Sequence, residues 1–247
     1  MRRNPVLDDP YLKVSVLAKT PNPQQTVWLA MHQDYSEGCV DINTAPPESR
    51  AGELAITHLL ANKRGHFGPL EHAQITFSIG NFPHSVMQQA RTHRVGVSFD
   101  VQSMRYTGAR ISRLITDPDP DIESIFFVRP HGEYSDRKGK RYAFTEEDRE
   151  EDLRTCYKAA KTYASKLSKG HSEEHARGLL PFEFRQHFVV SFTLRAVFHF
   201  LDLRTKADAQ DEIRAMCHLM WPHVKEWAPE LSEWYEKNRF GKALLSP

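Results

Sequence analysis

The sequence lacks a long apolar run. Nothing in its 247 residues approaches the roughly 20 consecutive apolar positions that a membrane-spanning helix needs. The opening MRRNPVLDDPYLKV also lacks the apolar core of a secretory signal, so the expected location is the cytoplasm. Charge of one sign is missing too. The 33 Lys and Arg residues face 32 Asp and Glu residues, a net charge of +1, which argues against broad electrostatic binding to DNA or RNA. Cysteine is scarce: Cys39, Cys156 and Cys217 lie far apart with no CxxC pair, which excludes a zinc ribbon or a disulfide framework and leaves buried free thiols as the expectation. Cys156 sits in RTCYKAAK, where cations could lower a thiol pKa, but no base stands beside it, so it is not read as a nucleophile. Neither a GxGxxG segment nor a Walker loop is present, so a bound nucleotide or flavin must be held in another way. There is no internal repeat.

What is present is an ordinary globular composition, 40% hydrophobic and 26% charged, in a chain long enough for one large domain or two small ones. Residues 12–19 and the alternating AQITFSIG at 73–80 read as strands, and so does DIESIFFVR at 121–129. Helices are expected at 24–34, at 49–63, and from Pro83 to about 94, a Pro suiting a helix start. The last hundred residues read as mostly helical, over 148–169, 173–179, 193–203, 208–225 and 230–238, with FRQHFVVSFTLR open between strand and helix. The polar stretch at 130–147 suggests an exposed insertion. Strands and helices without regular alternation predict an α+β protein with a mixed or antiparallel sheet flanked by helices and a helix-rich C-terminal half.

Three constellations carry chemistry. The densest is QQARTHRVGVSFDVQSMRYT at 88–107, where Arg91, His93, Arg94 and Arg105 can all hold anions and Gln88, Gln89 and Ser103 add neutral hydrogen-bonding groups. Guanidinium suits phosphate because its planar fork offers paired donors and stays charged. If the helix from Pro83 runs to 94, Gln88, Arg91 and Arg94 share one face; a solvated helix end with scattered cations is the plain alternative. The second, GHFGPLEH at 65–72, holds His66, Glu71 and His72 around a Gly-Pro turn. A metal site is conceivable there, but the spacing does not match HExxH, and a structural loop or a ligand contact fits as well. The third is the apolar TLRAVFHFLDLR at 193–204. Arg195 and His199, four apart, should share a helix face, while Arg204, nine beyond Arg195, should lie opposite and serve another ligand or the same cleft from another subunit. A buried arginine demands a partner or a ligand. Arg177 is a further anion contact, and ion pairs to Asp202, Asp208 or Glu212 are the structural alternative for these arginines.

Together these segments resemble the flavin-dependent thymidylate synthases. That family is marked by a GHxSxxEH-like segment, an RHR-x7-S-x-R-Y signature and a C-terminal NxR-x3-N-x4-R stretch. This chain answers with GHFGPLEH, RTHR…SMRY and TLRAVFHFLDLR, in the same order and over most of its length outside 107–150. It departs in having Thr92 inside the Arg-His-Arg run, eight residues rather than seven between Arg94 and Ser103, Thr193 and His199 where the family has asparagines, and Gly68 in place of Ser or Thr. The resemblance implies a single thymidylate synthase-complementing domain over 1–247. It further implies that Arg91, His93, Arg94, Thr193, Arg195 and His199 hold FAD, with His66 near the flavin ring. Gln88 or Gln89, depending on register, would bind dUMP together with Ser103, Met104 through its backbone, Arg105, Arg177 and Arg204, and Arg204 would also stabilise the ionised uracil. The implied reaction is reductive methylation of dUMP to dTMP, with methylenetetrahydrofolate as carbon donor and NADPH recharging the flavin, in a homotetramer with shared sites. No metal, nucleic acid or membrane enters this reading. The alternatives are a nucleotide-binding relative with lost or altered flavin chemistry, and an RNA- or nucleotide-binding protein without catalysis.

Overall fold

A computed structural model describes residues 4–61, 65–136 and 138–242. Four strands build the main sheet: β1 (Lys13–Lys19), β2 (Gln74–Pro83), β3 (Val97–Val101) and β6 (Arg185–Thr193), in the order β1-β2-β6-β3. The backbone hydrogen bonds fix the directions. Leu194 N–H donates to the Ala73 carbonyl at one end of the β2–β6 pair and His84 N–H to the Phe184 carbonyl at the other, so the two strands are antiparallel. The bonds Thr193 N–H to Gly96 and Gln102 N–H to His187 make β6–β3 antiparallel in the same way. The two central strands alternate as their sequences do. Ile75, Phe77 and Ile79 of β2 and Phe188, Val190 and Phe192 of β6 turn their side chains into the core. The open FRQHFVVSFT segment is therefore a strand.

The chain divides into two compact units. The first comprises 1–13, 79–90 and 100–188, and its core gathers Met104, Ile111, Leu114, Phe126, Cys156, Ala160 and Tyr163. It contains α3 (His84–Ala90), α4 (Met104–Thr107), α5 (Ala109–Thr116), the long α6 (Glu146–Ser168) and α7 (Glu173–Arg177). Helix α6 starts at a reciprocal cap, Thr145 accepting from Asp148 N–H while Asp148 accepts from Thr145 N–H, with acidic residues in its first turn to complement the helix dipole. The polar segment after 130 forms a small antiparallel hairpin, β4 (Gly132–Ser135) with β5 (Arg141–Phe144).

The second unit comprises 14–78, 91–99 and 189–247. Here lie α1 (Pro23–Gln33), α2 (Glu48–Ala55), α8 (Leu194–Arg204), α9 (Asp211–Trp227) and α10 (Pro229–Asn238). Helix α2 passes into a π-helical turn, Ile56–Leu60, that ends where Ala61 turns extended; residues 62 and 63 of the helix expected to reach 63 lie outside the described residues. Phe77, Phe192 and Phe200 meet in its core. The C-terminal helices agree with the pattern in the sequence, and the α+β class with its antiparallel sheet is established.

Of the three cysteines expected to be buried, Cys39 is exposed, and two secondary-structure expectations fail. The helix from Pro83 ends at Ala90 instead of 94, so Gln88, Arg91 and Arg94 do not share a helix face. DIESIFFVR is not a strand. The Asp121 carboxylate accepts from Ser124 N–H and tightens Ile122–Ser124 into a 3-10 turn, leaving one isolated bridge between Phe126 and Phe184.

Candidate active site

In the second unit, the chain leaves α3 through a turn at Arg91 and Thr92 and enters β3 past Gly96, which stands at φ +67°. A Cβ at Gly96 would come within 2.5 Å of the Thr193 hydroxyl and 3.1 Å of Ala196 Cβ, so only glycine lets this loop lie against the start of α8. Thr193 caps that helix, its hydroxyl accepting from Ala196 N–H at 3.2 Å. Between these elements His93 is buried, its ring edge-on to Phe200 at 4.8 Å and to His199 at 5.4 Å. Arg204, the last residue of α8, donates from Nε to His93 Nε2 at 3.0 Å and from Nη2 to the Thr92 hydroxyl at 2.9 Å. Because a guanidinium can only donate, His93 Nε2 must carry a lone pair and its proton must sit on Nδ1. Burial, with Arg204 and His199 beside it, pushes the His93 pKa down to about 4. Burial also lowers the Arg204 guanidinium from its ordinary value.

The other expected cations have different surroundings. Arg195 pairs with Glu71 rather than with Asp202, which accepts from Tyr235 and Arg239. Arg195 also borders a cavity with largely apolar walls of Leu60, Phe67, Leu70, Phe198 and Trp234. The side chain of His199 is half-buried, and its Nδ1 has no hydrogen-bond partner among the described residues. Arg91 and Arg94 are exposed, and no ion pair engages either among the described residues. His66 stands on the exposed loop before the 3-10 turn Gly68–Glu71, 3.7 Å from the Asp34 carboxylate. The face shared by Arg195 and His199 therefore splits at the level of contacts. His199 and Arg204 both reach His93, while Arg195 reaches Glu71.

The first unit gathers the remaining expected residues. Ser103 caps α4 by accepting from Arg105 N–H at 3.4 Å, and Met104 is buried behind it. The exposed Arg105 pairs with Glu174 of α7 at 2.6 Å. Arg177 is exposed on the same short helix, and the Glu174 carboxyl is held below its ordinary value by its own backbone N–H, Arg105, Ser172 and Arg177. Gln88 is exposed on α3 and hydrogen-bonds His84 at 2.8 Å, while Gln89 is half-buried.

Sequence reasoning missed several of these features. His84, Gln186 and Glu174 were not singled out, although the spacing of Glu174 and Arg177 at i and i+3 was readable. Arg185, 1% exposed, was passed over because it sits in a strand of bulky residues. It pairs with Asp9 and donates to the Asn81 carbonyl, a structural role. Cys156 lies in the core, where burial raises its thiol to about 11, against the lowering its basic neighbours suggested. Among the described residues no cluster of His, Cys, Asp and Glu could hold a metal ion.

The donor set suits a large anionic, partly aromatic ligand such as FAD. Exposed guanidinium groups at Arg91 and Arg94, an unpartnered buried nitrogen at His199 and an apolar cavity beside Arg195 all occur in one compact unit.

Comparison with known proteins agrees. Residues 15–230 match the family model for the thymidylate synthase complementing protein. The flavin-dependent thymidylate synthase of Haloarcula marismortui is 33% identical over 96% of this chain and 100% of its own length. That of Halobacterium salinarum is 30% identical with the same coverage. Among solved structures, a UMP/dUMP methylase from Streptomyces cacaoi bound with 5-Br UMP superposes with TM-score 0.69 and 21% identity, covering 96% of each chain. Thymidylate synthase X from Helicobacter pylori, solved with FAD and dUMP, gives TM-score 0.67 and 16% identity over 90% of this chain and 99% of that one. At those identities the two structures speak for the fold alone. Three signature segments, the matched family model and relatives aligned along their whole length converge, and the chain belongs to the flavin-dependent thymidylate synthases.

Proposed function

We propose that this protein converts dUMP to dTMP by reductive methylation, with methylenetetrahydrofolate as carbon donor, in the cytoplasm and as a homotetramer whose subunits share sites. A bound FAD, recharged by NADPH, supplies the hydride. The observation that carries the reading is the Arg204–His93 contact. It brings one arginine of the expected substrate set onto the buried histidine of the expected flavin set.

In this reading Arg91, Arg94, Arg195, the Nδ1–H of His93 and the ring of His199 bind the cofactor, Thr193 shapes the start of α8 beneath it, and His66 stands near its ring. The neutral His93 matters because an imidazolium there would repel Arg204 and turn it away. Arg204, desolvated yet permanently charged, stabilises negative charge on the uracil ring as it develops, more strongly than it could in open water. Ser103, Arg105, Arg177 and the Met104 backbone hold the nucleotide's anionic end, and Gln88 contacts it through its amide. The Arg105–Glu174 pair presets the Arg105 fork for phosphate.

The test is Arg204→Ala in protein reconstituted with FAD. Turnover should fall by about 100-fold or more, as when one charge-stabilising donor is removed from an active site, and dUMP affinity should weaken while the flavin stays bound. Loss of flavin with dUMP affinity intact would reverse the assignment.

A further inference from the structure

A polar chain, buried at Gln186, runs behind Gln88 through residues given no role above. His84, the first residue of α3, is clamped between two rings, stacked on Phe184 at 4.9 Å and edge-on to Phe182 at 5.2 Å. Both its nitrogens are engaged: Nδ1 lies 2.5 Å from Gln186 Oε1, and Nε2 lies 2.8 Å from Gln88 Nε2. Gln186, 4% exposed, donates from its amide nitrogen to the Gln102 carbonyl at 2.9 Å.

The backbone carbonyl at the end of this chain sets the order of donors and acceptors as far as His84 Nδ1. A carbonyl only accepts, so the end of Gln186 facing Gln102 must be its NH2 and the other end its oxygen. That oxygen can only accept, so His84 carries a proton on Nδ1. The geometry points to a lone pair on Nε2, because the Gln88 group 2.8 Å from it is the NH2. Gln88 therefore presents a carbonyl oxygen and one remaining N–H to a ligand, in a fixed order. A flipped amide would exchange donor and acceptor.

We infer that His84 is a positioning residue that, locked by Gln186 and the Gln102 carbonyl, fixes the polarity of the Gln88 amide toward the substrate. The same Gln102 carbonyl opens the turn that leads to Ser103, so the chain also ties Gln88 to a second expected nucleotide contact. The inference rests on the reading of Gln88 as a substrate contact.

The test begins with the full chain labelled with 15N-histidine. A long-range 1H–15N correlation spectrum, with His84 assigned by its loss in His84→Phe, should show a proton on Nδ1 and none on Nε2. A ring protonated on Nε2 would overturn the inference. Dissociation constants for dUMP, measured on FAD-loaded protein, supply the second arm. Gln88→Ala and His84→Phe should each weaken dUMP about tenfold, which corresponds to about 1.4 kcal/mol, and the double variant should be no weaker than either. Additive losses would mean that His84 acts only through packing, and would overturn the positioning role. If Gln88→Ala leaves dUMP affinity unchanged, the substrate contact fails, and the inference with it, while the Nδ1–H result stands on its own.

Discussion

His93 accepts from Arg204, and burial holds its pKa at about 4, well under the value near 6.5 it has when unfolded. The unfolded chain thus binds a proton at a pH where the folded one does not. The stabilisation is complete above about pH 6.5 and is lost as the pH falls toward 4. Denaturant unfolding at pH 7 and pH 5 should differ by roughly 2 kcal/mol more in the native protein than in His93→Phe. Equal acid sensitivity in the two would show that His93 does not titrate as described. At this scale the sequence was informative about which residues matter, because arginines and histidines are rare on an apolar helix such as LRAVFHFLDLR. It could not name their partners. Glu71 reaches Arg195 across 124 residues of chain and Glu174 reaches Arg105 across 69, distances that no local spacing encodes.

Gly96 joins the two elements that carry most of the expected cofactor contacts. Its φ of +67° disfavours any side chain, and a Cβ there would strike the Thr193 hydroxyl that caps α8. Gly96→Ala should cost on the order of 2 kcal/mol from backbone strain and the displaced cap. It should lower Tm and weaken FAD retention together; unchanged values of both would contradict this link between loop and helix. Long amphipathic helices and alternating strands were readable because their apolar periods are local. The short pieces were not. Strand β3, VSFDV, and helix α4 are too brief for a period to emerge, and α3 stops at Ala90 because the loop needed to reach Gly96 and β3 begins there. At Ile122–Ser124 local side-chain bonding overrode β propensity.

The order β1-β2-β6-β3 pairs β2 with a strand more than a hundred residues away, and no sequence pattern specifies such a partner. The family signatures carried the whole-molecule reading instead, since their order along the chain reports a shared fold. Several large side chains in the matched segments face solvent in a single chain, among them Tyr106 (81% exposed), Val95 (78%) and Phe182 (59%). Such exposure suits the proposed assembly. Light scattering should give four times the mass of one chain, and Tyr106→Glu or Val95→Glu should shift that mass downward; a monomer at micromolar concentration would contradict shared sites. The central claim is tested most directly by incubating the purified chain with dUMP, methylenetetrahydrofolate and NADPH, with and without FAD, and measuring dTMP. A yellow protein and dTMP formation that depends on FAD are the expected result. A protein that retains no flavin after reconstitution and forms no dTMP would contradict it.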